Sequence, residues 1–141
     1  MDELEKEYDR IWTEQWVNTF KSVSDGSVDV YTAYLQMTFI VTNYAVLNDD
    51  IDKVEGENLS KENKELLKSY KEKLSKSADY RTIVASEAAT MFYEGTLNKT
   101  SEIENIKGII STGDGEMMQA MKDRLSIEEN LGLIENEQTK E

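Results

Sequence analysis

Between residues 2 and 23 the apolar side chains recur at Leu4, Tyr8, Ile11, Trp12, Trp16, Phe20 and Val23. Steps of three and four residues gather them on one face of a helix. A strand, whose side chains alternate every second residue, could not bury them together. Glu3, Glu7, Arg10, Glu14 and Lys21 fall on the opposite face. The spacing predicts an amphipathic helix that needs other elements to cover its apolar side. The turn chemistry of Ser24-Asp25-Gly26-Ser27 ends it.

The same period runs through the rest of the chain. From Val28 to Leu47 apolar residues lie almost all round, as expected of a helix at the centre of a core. The β-branched run "TFIVT" favours a strand, but the length and the lack of internal Gly or Pro favour a helix. Ser60 is placed to cap a helix starting at Lys61. Two stripes follow, Leu66, Leu67, Tyr70, Leu74 and then Tyr80, Ile83, Val84, Ala88, Met91, Phe92, rotated relative to each other. One straight helix over 61–94 would span about 50 Å, so a bend or short break near Ser75–Asp79 is expected, with Gly95 as the stop. Ser101 and Glu104 fit a capping box opening a short helix, "STGDGE" (111–116) reads as a loop, and a last helix runs to about residue 131. Proline, which breaks helix interiors, is absent from all 141 residues. The expectation is an all-α, compact, single-domain bundle of four to six helices with a buried central helix. It covers residues 1–131, followed by a frayed acidic tail over 132–141.

Composition narrows the chemistry. There is no Cys and no His. Disulfides, thiolate nucleophiles, Cys/His zinc sites and Ser-His or Cys-His pairs are excluded, and the commonest acid–base side chain near neutral pH is missing. The formal charge is −13, from 29 acids and 16 bases. Such a chain repels nucleic acid and anionic membrane and attracts basic surfaces. The most apolar run, Ala33–Leu47, is interrupted by Gln36, Thr38, Thr42 and Asn43 and is too short to span a bilayer. The N-terminus "MDELEKEYDR" lacks the apolar core of a secretory signal, so a cytoplasmic protein is expected, and the glycosylation-like triplet Asn98-Lys99-Thr100 has no role.

One segment concentrates the charge. Within "NYAVLNDDIDKVEGEN" the chain carries Asp49, Asp50, Asp52, Glu55 and Glu57 against Lys53 alone. An EF-hand frame starting at Asn48 puts Lys53 where the loop needs Gly and Leu59 where it needs Glu. A frame from Asp50 puts Val54 at a ligand position. "STGDG" lacks the lysine of a phosphate loop. No pair among the acids has a spacing that marks a glycosidase. No metal and no cofactor is expected. Trp12, Trp16 and Phe20 read as core before base-stacking platform, and Met117, Met118 and Met121 as core before groove. Lys61, Lys64, Lys68 and Lys71 form a ridge that is either a solvated face or a dock for an acidic segment.

These readings point away from catalysis. The expected function is a small acidic, non-enzymatic binding protein. Asp49, Asp50, Asp52, Glu55 and Glu57 would engage a basic surface of a partner protein, with Glu3, Glu7 and Glu14 extending the track. Closely spaced carboxylates can imitate nucleic-acid phosphates, so an inhibitor of a nucleic-acid-binding protein, of phage or mobile-element type, is the sharpest form. Direct nucleic-acid or membrane binding is not expected. An assembly or chaperone-like adaptor working through the acidic tail, as in viral morphogenesis, is the alternative. A homo-oligomeric structural protein is a third reading.

Overall fold

Every regular element is helical among residues 1–97 and 99–133, the part of the chain that the computed structural model describes. α1 (Asp2–Ile11), a π-helical segment (Trp12–Val17) and α2 (Asn18–Ser24) form the first rod. α3 (Val30–Asp52), α4 (Lys61–Glu94) and α5 (Thr100–Asn130) are the other three. Residues 134–141, most of the expected tail, and Asn98 of the glycosylation-like triplet lie outside the described part.

Cross-rod bonds fix the directions. Tyr44 Oη donates to Tyr8 O at 3.0 Å, Asn43 Nδ2 to Gln15 Oε1 at 2.8 Å, and Thr19 Oγ1 to Gln36 Oε1 at 2.5 Å, so α3 runs against the first rod. Ser75 Oγ donates to Asn48 Oδ1 at 3.0 Å, and the Tyr34 and Tyr93 rings lie 5.7 Å apart, so α4 runs against α3. Ser77 Oγ donates to Gly113 O at 2.9 Å and Asn130 Nδ2 to Asn63 Oδ1 at 2.9 Å, so α5 runs against α4. The result is an up-down-up-down bundle. The buried central helix is α4, not the Val28–Leu47 segment expected in the middle: α4 touches all three other rods, whereas one side of α3 stays exposed. Leu74, Ala78, Val84, Ala85 and Ala88 are fully buried along it, and Phe92 meets Phe20 at 5.3 Å.

The helix ends follow local chemistry. Asp29 Oδ1 accepts from Thr32 N at 2.8 Å and Ser60 Oγ from Asn63 N at 3.1 Å, as N-caps do. Gly95 closes α4 in the left-handed region, with φ 70°.

Four local expectations are corrected. α4 is unbroken over 34 residues, because the small residues Ser75, Ser77 and Ala78 form the crossing with the other rods. Its two rotated stripes face different neighbours. "STGDGE" is helical, inside α5, because Gly113 lets the α5 backbone approach α4. A Cβ there would stand 3.0 Å from Tyr80 Cβ. α5 begins at Thr100 with Lys99 in the cap position and no side-chain cap, so the Ser101/Glu104 box is not used. The first rod widens into a π turn at Trp12–Val17. In an α-helix, residues spaced by four drift about 40° per step. A wider turn counters that drift and leaves the Trp12 and Trp16 rings stacked at 4.5 Å.

Candidate binding surfaces

The acidic segment straddles a helix end. Asp49, Asp50 and Asp52 sit in the last turn of α3, while Glu55 and Glu57 lie in the connection to α4. All five are exposed. Lys71 of α4 holds the backbone here, donating from Nζ to the carbonyls of Asp52 at 3.1 Å and Val54 at 2.9 Å. Among the described residues none of the five carboxylates forms an ion pair. The segment is therefore tied through its main chain, with its charges left to solvent.

The five do not all line one groove. Asp52, Glu55 and Glu57 line an open groove of about 1070 Å³ whose other wall carries Lys64, Lys68, Lys71, Lys73 and Lys76 of α4, with Glu72, Asp79 and Glu116. The groove is thus of mixed sign. Of the lysine ridge, Lys61, Lys64 and Lys68 are exposed, and among the described residues Lys71 alone bonds to the acidic segment, at its backbone carbonyls and not its carboxylates. Asp49 and Asp50 are not part of this groove lining.

Sequence reading missed the outer face of α3. The helix carries two apolar seams. Ala33, Met37, Ile40, Tyr44, Leu47 and Ile51 are buried in the bundle. Tyr31, Leu35, Phe39, Thr42 and Val46 are exposed, with Phe39 at 61% and Val46 at 53%. The nearly all-round apolar character suggested burial on most sides, and the exposed outer face corrects that. The signal for a second seam was the three- and four-residue spacing of the outer set, which keeps it on one face of the helix. At its N-terminal end Tyr31 contacts Tyr34, and Tyr34 contacts Tyr93.

Beside Phe39 a smaller notch of about 340 Å³ opens between the first rod and α3. Glu14, Gln15, Asn18, Gln36 and Asn43 line it, with one carboxylate and no base. Glu7 and Glu14 are both bound by Arg10, at 2.5 and 2.9 Å, and its hydrogen bond to Glu7 holds that carboxyl below the usual carboxylate range.

Elsewhere the aromatic and charged residues build the core. The Arg81 guanidinium, 8% exposed, lies between the Tyr8 and Trp12 rings at 4.2 and 4.1 Å from their centroids. Its Nη1 donates to Tyr44 Oη at 3.3 Å and its Nη2 to Asp114 Oδ1 at 3.1 Å. Burial works against its charge, yet the Tyr44 and Tyr8 oxygens and Asp114 hold it above the ordinary arginine value. Trp16 and Phe20 pack on the core as expected. Met117 is buried, but Met118 and Met121 are exposed, so the Met cluster divides between core and surface. At the other end of the bundle Arg124 of α5 meets Glu5 at 2.6 Å and Glu128 at 3.0 Å, while Tyr70 Oη lies 3.0 Å from Glu5 Oε2.

Among the described residues no three carboxylates converge as a metal-ligand set, and no helix is long and apolar enough to cross a membrane. No family model matches this chain, and no curated protein or solved structure matches it either.

Proposed function

We propose that this chain is a non-enzymatic binding protein of the cytoplasm that engages a basic surface of a partner protein, with Asp49, Asp50, Asp52, Glu55 and Glu57 as its acidic contacts. The observation that carries the reading is the state of those five side chains. They are exposed, lack ion-pair partners among the described residues, and sit on backbone anchored by Lys71. With the backbone beneath them anchored, these carboxylates can meet a Lys or Arg without ordering the main chain first, and a formal charge of −13 speeds the encounter. The lack of His and Cys supports the non-enzymatic reading by removing the commonest acid–base side chain and the thiolate nucleophile, and no spacing among the carboxylates, Lys or Tyr singles out another catalytic group.

Inhibition of a nucleic-acid-binding protein, as practised by phages and mobile elements, is the narrower form of this proposal. Phosphate mimicry calls for a run of acids unbroken by bases. Lys64, Lys68 and Lys71 break that run on the groove side, so recognition of a basic protein surface is the better supported form.

The test is capture of partners from the cell of origin by the native chain and by a variant carrying Asp49→Asn, Asp50→Asn, Asp52→Asn, Glu55→Gln and Glu57→Gln. The reading expects a basic protein that the native chain holds and the variant releases, with affinity falling steeply from low to high salt. Affinity that is flat with salt, or unchanged by the five substitutions, overturns it.

A further inference from the structure

We infer that the outer seam of α3 is a docking ridge for a basic amphipathic helix of the partner protein, which lies along Tyr31, Leu35, Phe39 and Val46 and places a Lys or Arg in the notch beside Phe39. This rests on the reading above and specifies the shape of the partner's basic surface.

Three observations carry it. The exposed apolar residues Tyr31, Leu35, Phe39 and Val46 gather on the face of α3 opposite its buried seam, and an uncovered apolar helix face is what a second helix packs against. A two-seamed helix inside a bundle has room for one more neighbour. Second, the surroundings are acidic. From Val30 to Asp52 α3 contains no base, and it ends in Asp49, Asp50 and Asp52. The adjoining half of α4, residues 77–94, exposes Asp79, Glu87 and Glu94, and its single base, Arg81, is buried. Third, the notch offers side-chain amides and the exposed Glu14 carboxylate, which Arg10 holds from outside the notch at 2.9 Å, with no base in its lining. That lining suits a cationic head group whose aliphatic stem lies on Phe39.

Charge also selects between occupants. A second copy pairing antiparallel and centred on Phe39 sets Asp49 opposite Asp29. A parallel pair sets Asp49 and Asp50 against themselves. Both arrangements join two bodies of charge −13. A helix with Lys or Arg flanking an apolar stripe meets no such repulsion, and helix-in-groove recognition supplies the apolar contact that slows release.

The experiment uses fluorescently labelled peptides and the full chain. One peptide is an amphipathic helix of Leu/Lys heptads, the second is its Leu/Glu counterpart, and the third is oligolysine, which is basic but has no apolar seam. Anisotropy titration should give binding of the Leu/Lys helix, weaker binding of oligolysine and none of the Leu/Glu helix. The uncharged double variant Phe39→Ser, Val46→Ser, at two exposed positions, should weaken the Leu/Lys helix about tenfold or more, the scale of lost anchor contacts. Circular dichroism should leave its helix content unchanged. Equal binding of oligolysine and the Leu/Lys helix, unaffected by the double variant, overturns the ridge but leaves the basic-partner reading standing. Failure of both basic peptides to bind overturns both. Light scattering that finds a native dimer, converted to monomer by the double variant, overturns the ridge in favour of a second copy.

Discussion

Arg81 brings the first rod, α3, α4 and α5 to one point. Its guanidinium fills the space between Tyr8 and Trp12, meets Tyr44 on α3, and reaches Asp114 on α5. The two ends of that arrangement differ in weight. The aromatic sandwich is desolvated, where a cation–π contact is strongest. Asp114 is 52% exposed on its side chain, where an ion pair contributes little. Arg81→Ala, which also leaves a cavity among buried rings, is therefore expected to cost about 3 kcal/mol. Asp114→Asn is expected to cost less than about 1 kcal/mol. Urea unfolding of both variants checks the contrast, and equal costs would show that the ion pair, not the rings, holds the arginine.

At the scale of elements, α5 shows how packing overrides local preference. It contains Gly108, Gly113 and Gly115, and only Gly113 faces another helix closely. Gly108 and Gly115 have open space where a Cβ would go. Gly108→Ala and Gly115→Ala should each stabilise the protein by about 0.5–1 kcal/mol, the helix-propensity difference. Gly113→Ala should destabilise it, since Tyr80 stands in the way. Thermal melts of the three single variants check the signs. The same helix marks how far the sequence could be read. Its apolar period was plain, and so were the stripes of the first rod, α3 and α4, because burial on one face imposes the 3.6-residue repeat directly. The helical state of Ser111–Glu116 was not legible, since it depends on Ser77 and Tyr80, far away in the chain. Nor was the continuity of α4 through Ser75–Asp79, where small residues that look like a break serve a crossing. In the candidate site, the exposure of Asp49, Asp50, Asp52, Glu55 and Glu57 could be read from their charge. Their division between the end of α3 and a lysine-walled groove could not, because it depends on where α4 lies. The outer seam of α3 was visible as apolar residues, but which side of the helix stays uncovered is a property of the assembled bundle.

For the whole molecule, buried phenols couple stability to alkaline pH. Burial raises the pKa of Tyr8, Tyr44 and Tyr70 above the ordinary 10.0, more than nearby Arg81 and Arg124 lower it. The folded state thus favours the neutral phenol. The stability this contributes is complete below pH 10 and is lost as pH rises through the raised values. Tyrosinate absorbance followed alongside circular dichroism should show a late fraction of the phenols ionising in step with the loss of helix. Complete ionisation with the helices intact would contradict the burial of these three.

The central claim is that the acid-flanked outer face of α3 is where this protein meets its partner. Amide chemical-shift mapping of the isotopically labelled full chain, titrated with the Leu/Lys helix, tests it most directly. The account predicts shifts concentrated on the outer positions of α3 from Tyr31 to Asp52, on Glu55 and Glu57, and on Glu14 and Asn18 beside the notch. Shifts confined to the groove wall at Lys64–Lys76, with α3 silent, would contradict it.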